Sequence, residues 1–249
     1  MKQIILSGCN GKMGHVISNI VAGRDDCTIV AGIDINTQRH FDYPVFAKPS
    51  DYAGGADVII DFSHPSVLTP LLAFSKERGI PVVLATTGYS KAQIEEIHAA
   101  AKGTPVFFTA NMSLGINLMV ELAKKAAGVL GDSFDIEIIE KHHNQKIDAP
   151  SGTALMIADA VSGVLDEKPQ YVYDRHSQRK KRDKNEIGIH AVRGGTIVGE
   201  HDIMFAGRDE ILTISHTAMS KEVFASGAVN AAVFMCGKTA GLYNMKDMV

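Results

Sequence analysis

The chain has 249 residues, 45% hydrophobic and 21% charged, a globular composition with room for one large domain and one smaller one, not a disordered or fibrous polymer. A formal net charge of -3 supplies no global positive field, which disfavours nucleic acid, and the first apolar run, Ile4-Ile5-Leu6, is too short for a signal segment or a membrane span. The three cysteines, Cys9, Cys27 and Cys236, form no CxxC pair and are odd in number, which fits reduced thiols in a cytoplasmic protein.

Short β-branched runs alternate with amphipathic stretches over roughly the first 110 residues, the pattern of βαβ units feeding a parallel sheet. Strands are predicted at Ile4–Gly8, Thr28–Asp34, Val58–Phe62, Val82–Thr87 and Val106–Ala110. Their nearly continuous apolar character suits strands covered on both faces. Helices are predicted at Lys12–Ala22, Ser66–Arg78 and Ser90–Ala101, with Gly79-Ile80-Pro81 as a stop for the second. A longer helix, Leu114–Leu130, leads away from this sheet, and the periodicity changes after Gly131. Beyond it come a strand through Ile136–Ile139, a short helix after Ser151 and a basic loop. Two runs, Ile187–Val192 and Thr196–Ile203, meet at Arg193-Gly194-Gly195 and read as a hairpin, which Glu210–Thr217 extends into a mixed or antiparallel sheet. Helices would cover one face of that sheet; the other could pack on another subunit. Ser220 is read as the cap of a last helix to about Thr239, whose Ala225, Ala228, Val229, Ala232 and Val233 could return to the first domain.

The first strand runs into Gly8-Cys9-Asn10-Gly11-Lys12-Met13-Gly14, where the second predicted element begins. Glycine lets a backbone approach a pyrophosphate closely, and a helix start offers N–H groups and a favourable dipole to the anion. Asp34 ends the second strand twenty residues after Gly14, placed to accept from ribose hydroxyls. Ile35 follows it where an arginine would suit a 2′-phosphate, which favours NADH, although Lys12 or Arg39 could meet that phosphate; NADH and NADPH both stay open. Two more loops, Ala85-Thr86-Thr87-Gly88 and Thr109-Ala110-Asn111-Met112, lie at carboxyl ends of predicted strands and could border the nicotinamide.

The most informative segment is Glu140-Lys141-His142-His143-Asn144-Gln145-Lys146-Ile147-Asp148-Ala149-Pro150-Ser151-Gly152-Thr153-Ala154. His142 and His143 can exchange protons near neutral pH, and Lys146 supplies a cation. Ser151-Gly152-Thr153 opens a helical run and forms a second anion cradle, suited to a carboxylate. No neighbouring cysteine or carboxylate completes a zinc set at familiar spacing, so no metal is expected. The basic loop with Arg175, Arg179, Lys180, Lys181, Arg182 and Lys184 could touch phosphate or nucleic acid, but a solvated loop is the stronger reading. His15 and His190 receive packing or surface roles.

With these residues in view, the sequence resembles the 4-hydroxy-tetrahydrodipicolinate reductases (dihydrodipicolinate reductases) of the diaminopimelate route to lysine. The match runs end to end: G-C-N-G-K-M-G at 8–14, A-T-T-G at 85–88, A-N-M-S-L-G-I-N at 110–117, the 140–154 segment, V-G-E-H at 198–201 and G-L-Y-N-M-K-D at 241–247. The resemblance implies a Rossmann-like α/β domain of residues 1–112 and 220–249, and a smaller α+β substrate and oligomerisation domain, 113–219, whose mixed sheet builds a homotetramer. It implies a proton donor or acceptor at His142, a proton donor at Lys146, and ligands of a small dicarboxylate at His143, Ser151, Gly152 and Thr153. Cofactor contacts are implied at Gly8, Cys9, Asn10, Gly11, Lys12, Met13, Asp34, Ala85, Thr86, Thr87, Thr109, Ala110, Asn111 and Met112. The implied reaction is NAD(P)H-dependent reduction with loss of water, and domain closure is expected to bring the two sites together.

Overall fold

The alternating residues of the first strand go to opposite sides of a sheet, and both sides are dry. In the computed structural model, which describes residues 1–109 and 111–248, β1 (Lys2–Ser7) sends Ile4 and Leu6 into one apolar cluster and Ile5 into another, all fully buried. Each such side chain contributes about 1.5–3 kcal/mol by leaving water. Along the chain follow α1 (Lys12–Ala22), β2 (Cys27–Ile33), β3 (Val45–Phe46), β4 (Val58–Asp61), α2 (Leu68–Arg78), β5 (Val82–Leu84), α3 (Lys91–Ala100) and β6 (Pro105–Phe108). Then come α4 (Leu114–Leu130), β7 (Asp135–His142), α5 (Gly152–Ser162), β8 (Gln170–Val172), β9 (Glu186–Arg193), β10 (Gly199–Ala206) and β11 (Ile211–Ala218). The last elements are α6 (Glu222–Met235) and β12 (Gly241–Tyr243). Residues Met1–Ser113 and Glu222–Val249 form one unit, Leu114–Lys221 another.

The first unit is a seven-stranded sheet in the order β12-β6-β5-β4-β1-β2-β3, with all pairs parallel. β1 lies between β2 and β4, so strand order reverses there, and sheets of this kind bind ligands beyond the carboxyl ends at that point. Ile17 and Val21 of α1 share a core with Ala225, Ala228, Val229 and Ala232 of α6 on one face; Leu71, Phe74 and Ile97 of α2 and α3 cover the other. A capping box between Ser90 and Gln93 starts α3, and Gly79, at φ +64°, ends α2. Gly227 lets α6 approach the 109–112 loop, because a Cβ there would stand 1.8 Å from the Met112 carbonyl oxygen.

The second unit is a five-stranded mixed sheet, β11-β10-β7-β9-β8. Ile116, Met119, Val120 and Ala123 of α4, with Ala154 and Ile157 of α5, pack on Ile136, Ile138, Ile189, Ile203 and Phe205. The side chains of Glu137, Ile139, Lys141, Asp202 and Met204 alternate with these and are only half-buried.

The predicted hairpin is overturned. β7 lies between the two runs, parallel to β9 and antiparallel to β10. Its Ile136 and Ile138 occupy the centre of the apolar face, and the turn after Arg193 crosses the end of β7, with Gly194 N–H donated to the His142 carbonyl at 2.9 Å and Asn144 N–H to Gly195 at 3.2 Å. β10 accordingly starts at Gly199, not Thr196. Helix α6 begins at Glu222, two residues after the expected cap. β3, β8 and β12 were not predicted; two or three residues show no period. Among the described residues no helix is long and apolar enough to cross a membrane.

Candidate active site

The turn after β1 is shaped by glycine. Gly8 has φ +79°, and a Cβ there would stand 2.5 Å from the Phe62 carbonyl oxygen; one on Gly14 would stand 2.3 Å from the Gly8 oxygen. Bare backbone therefore lies across the carboxyl end of β1. Gly11 precedes α1 and no side chain caps that helix, so its first-turn N–H groups at Lys12 and Met13 face outward with the positive end of the dipole. Cys9 is fully buried, its thiol packed under Gly32; burial, with the Asp34 charge nearby, pushes it up to about 12. Only the Cys9 backbone borders the turn, and its thiol is inert. Asp34 braces the same turn: its Oδ2 accepts Asn10 N–H and its Oδ1 accepts Asn36 N–H, both at 3.0 Å. The Asn10 amide reaches the Asn36 and Gln38 carbonyls at 2.5 and 2.9 Å. Arg39 folds back on its own loop, Nε donating to the Phe41 carbonyl at 3.0 Å with Asp42 3.6 Å from its guanidinium.

At the ends of the neighbouring strands, Ala85 and Thr86 follow β5, with Thr86 buried and Thr87 exposed. The Thr86 hydroxyl donates to Asp61 Oδ2 at 2.7 Å, the Ser63 hydroxyl to Oδ1 at 2.5 Å, and Tyr89 OH reaches Oδ2 at 3.3 Å. Asp61, 1% exposed, is thus the anchor of the Ala85–Thr87 loop. Burial and then its charge push the Tyr89 phenol upward. Thr109 and Asn111 are tied together, the Thr109 hydroxyl donating to the Asn111 carbonyl at 3.3 Å, and Ser113 N–H reaches Asn111 Oδ1 at 2.8 Å. Met112 is buried, and Ala110 lies outside the described residues.

In the second unit β7 carries Glu140 and His142 on one face, because residues two apart on a strand point the same way. His142 Nδ1 is 2.6 Å from Glu140 Oε2, and Arg193 clasps the same carboxylate with two bonds of 2.7 Å. Ser151 N–H donates to Glu140 Oε1 at 3.0 Å, while the Ser151 hydroxyl accepts from Ala154 N–H at 3.2 Å and thereby caps α5. Gly152 and Thr153 form the first turn of that helix, at the positive end of its dipole. His201 lies behind, Nε2 3.1 Å from the Ser151 hydroxyl and its ring edge-on to His142 at 5.3 Å. Burial, then the proximity of His142, pushes His201 down to about 4, so it is neutral at pH 7. Lys146 bonds Asp148 Oδ1 at 2.7 Å, and the Asp148 carbonyl accepts Arg193 at 2.7 Å, which joins the 146–148 segment to the cluster. His143 sits in the turn after β7, its carbonyl accepting Lys146 N–H at 3.1 Å.

Two family models cover nearly the whole chain: "dihydrodipicolinate reductase, N-terminus" matches residues 2–112 and "dihydrodipicolinate reductase, C-terminus" residues 115–249. The chain belongs to the dihydrodipicolinate reductase family. It is 53% identical, over all of its length and 98% of the relative's, to the 4-hydroxy-tetrahydrodipicolinate reductase of Caldanaerobacter subterraneus subsp. tengcongensis. Identity to the enzyme of that name from Clostridium novyi is 50% over the same shares. The solved structure of a dipicolinate-bound dihydrodipicolinate reductase from Paenisporosarcina sp. TG-14 superposes with a TM-score of 0.83 at 25% identity, covering all of both chains.

Within the family frame, the structure gathers His142 and Ser151 around Glu140, and draws Lys146 in through Asp148. Sequence reading gave no role to Glu140, Arg193, His201 or Asp61. Glu140 was signalled by its place two residues before His142. Arg193 and His201 are brought in by strand register, Arg193 opposite His142 and His201 opposite Glu140, whereas Asp61 closes the apolar run of β4 in the first unit. The basic loop is largely exposed, as expected of a solvated loop, with Arg179, Lys180, Lys181 and Lys184 at the surface, while Arg175 bonds Glu137 and Glu186, and Arg182 bonds Asp135 and Glu137. His190 pairs with Glu137 at 2.7 Å, and His15 packs edge-on against Phe41.

Proposed function

We propose that this protein reduces 4-hydroxy-tetrahydrodipicolinate to tetrahydrodipicolinate, with loss of water, on the diaminopimelate route to lysine. The observation that carries the reading is the cluster on Glu140, which sets a proton-exchanging imidazole beside the start of α5, in a chain matched over its full length by named reductases. Residues 1–112 and 220–249 serve as the dinucleotide-binding domain, 113–219 as the substrate domain.

A dinucleotide fits the first unit, since the Gly8 and Gly14 cradle is space that a Cβ would fill and the uncapped start of α1 suits a pyrophosphate. The backbone from Gly8 to Met13 would hold the phosphates, Asp34 the ribose, and the loops at Ala85–Thr87 and Thr109–Met112 the nicotinamide. That group supplies hydride when bound. In the second unit, Gly152, Thr153 and Ser151 hold one substrate carboxylate, His143 and Lys146 add donors, and His142 exchanges the compensating proton through Nε2. The bound dicarboxylate is aligned before reaction, and such positioning accounts for much of the rate gain. Asp34, followed by exposed Ile35, and Arg39 turned to its own loop favour NADH over NADPH.

The half-buried second face of the five-stranded sheet, continuous with edge strand β11 and its exposed Ile211 and Leu212, supports a homotetramer, and the free thiols support a cytoplasmic setting. The activity is tested by following NADH and, separately, NADPH consumption with substrate generated in situ by a coupled synthase. Oxidation that depends on both synthase and this protein is expected. Folded, cofactor-binding protein that consumes neither would overturn the reading in favour of another acid substrate.

A further inference from the structure

The Glu140 carboxylate is fully buried and takes four donors. Its Oε1 accepts Arg193 Nη2 at 2.7 Å and Ser151 N–H at 3.0 Å; its Oε2 accepts Arg193 Nη1 at 2.7 Å and His142 Nδ1 at 2.6 Å. Burial alone would raise this group, but the bonds from Arg193, His142 and Ser151 outweigh it and hold the carboxyl below its ordinary value. The group is therefore ionised and can only accept, so His142 must carry a hydrogen on Nδ1. The nitrogen left for chemistry is Nε2, which would lie 3.1 Å from a Cβ on Gly199; glycine at that position keeps the ring edge open. The groups around the imidazole are Glu140 on its own strand, Arg193 at the end of β9, His201 on β10 and Ser151 before α5. Of these only Glu140 is negative, and neutral His201 adds no competing cation.

We propose that Glu140 is a positioning residue for the reaction: it holds His142 with hydrogen on Nδ1 and Nε2 toward the substrate, and through Ser151 N–H it keeps the carboxylate cradle of α5 in register with that nitrogen. The proposal rests on the reading of His142 as the proton-exchanging group. Glu140 does not touch the substrate. It stabilises the imidazolium that gives up a proton from Nε2, as a buried carboxylate behind a catalytic imidazole does elsewhere.

Glu140→Gln separates this role from a merely structural ion pair. Glutamine has the same shape, but one of its end groups donates. If the amide NH2 faces Ser151, the cradle loses its tie; if it faces His142, Nδ1 must accept and the ring hydrogen moves to Nε2. Either arrangement lowers kcat, by about 10²-fold or more, while the KM for NADH, set in the first unit, stays within about twofold. In a His142→Gln background the same change should add less than about threefold, since the pathway it serves is already gone. A kcat for Glu140→Gln within about threefold of wild type, or losses that multiply in the double variant, would overturn the proposal. Should the variant not fold, two-bond ¹H–¹⁵N correlations of the wild-type protein decide the matter, with the His142 signal identified by its absence from His142→Gln. Hydrogen on Nδ1 in the neutral ring is expected; a ring with hydrogen on Nε2 alone rejects it. Wild-type turnover in His142→Gln would remove the underlying reading, whereas an impaired His142→Gln beside an active Glu140→Gln sinks only the role of Glu140.

Discussion

Gly8→Ala tests whether the open backbone at the end of β1 is what holds the dinucleotide. A methyl at this position meets two penalties. The φ of +79° costs an L-residue about 1–2 kcal/mol, and the new Cβ lies 2.5 Å from the Phe62 oxygen, 2.7 Å from its carbon and 2.9 Å from Ser63 Cα, all backbone. Backbone cannot swing aside as a side chain can, so β1 and β4 must part at their carboxyl ends, an overpacking term of about 1–3 kcal/mol. The expected loss is about 2–5 kcal/mol of unfolding free energy, together with at least about a tenfold rise in the Kd for NADH as the turn shifts. Gly79→Ala supplies the control, because Gly79 has φ +64° with nothing within 4 Å of its would-be Cβ. It should cost only the conformational part, about 1–2 kcal/mol, and leave NADH binding unchanged. Urea denaturation and fluorescence titration with NADH read both quantities. Equal losses in the two variants, or undiminished NADH binding by Gly8→Ala, would refute the close-approach argument.

Other outcomes follow from the site. His142→Gln is expected to lower turnover by about 10²–10⁴-fold, and Lys146→Ala to lower it and raise the substrate KM; unchanged turnover in either removes that residue from the proton path. Asp34→Ala should move the ratio of kcat/KM for NADPH over NADH upward by about tenfold, a fraction of the ~4 kcal/mol that like charges about 4 Å apart feel at an effective dielectric of 20, and an unmoved ratio would clear Asp34 of any part in cofactor choice. His201 is neutral in the fold, held down to about 4 chiefly by burial, whereas the unfolded chain takes up its proton near the ordinary 6.5. The unfolded state thus binds more protons in this window, and stability should fall by about 3 kcal/mol as pH drops from 6.5 to 4. Glu140 acts in the same sense only below about its ordinary 4.5, but His216, also held below its ordinary 6.5 by burial, acts in the interval from 6.5 to 4.5 as well, so the share of His201 is read as the difference between wild type and His201→Gln. Denaturation midpoints measured there should slope less in His201→Gln than in wild type; parallel slopes would show that His201 is not the source.

The parallel domain was readable because its strands are fully covered: Ile4, Ile5 and Leu6 advertise burial on both faces, and the glycines at 8, 11 and 14 mark the turn. Helix ends were readable where a cap has a local cause, as at Ser90 with Gln93 and at Gly79. The hairpin reading failed because Arg193-Gly194-Gly195 looks like a local turn, while the partner of each run is β7, roughly 50 to 70 residues earlier. That failure hid the site's inner half as well. His142 and Ser151 belong to one conspicuous segment, but Arg193 and His201 reach them only through the pairing that inserts β7 between β9 and β10. Asp61 was hidden differently, as the last residue of an apolar run, where a carboxylate gives no periodic signal; its hydroxyl partners come from three separate positions, Ser63, Thr86 and Tyr89.

The return of α6 and β12 to the first sheet bears on how the protein is made. When β6 leaves the ribosome, the face of the sheet carrying Ile4, Leu6, Val58 and Ile60 still lacks Ala225, Ala228 and Val229, and β6 is an unpaired edge until Gly241–Tyr243 arrives. All of residues 114–221, a unit continuous in sequence, emerges in the interval. The later-made unit can therefore close first, while the earlier-made sheet waits with apolar surface and an edge strand exposed, the two features that draw nascent chains into aggregation or onto chaperones. Order of synthesis and order of completion are reversed, and stalling translation between residues 130 and 220 would expose the dinucleotide-binding sheet at its most vulnerable.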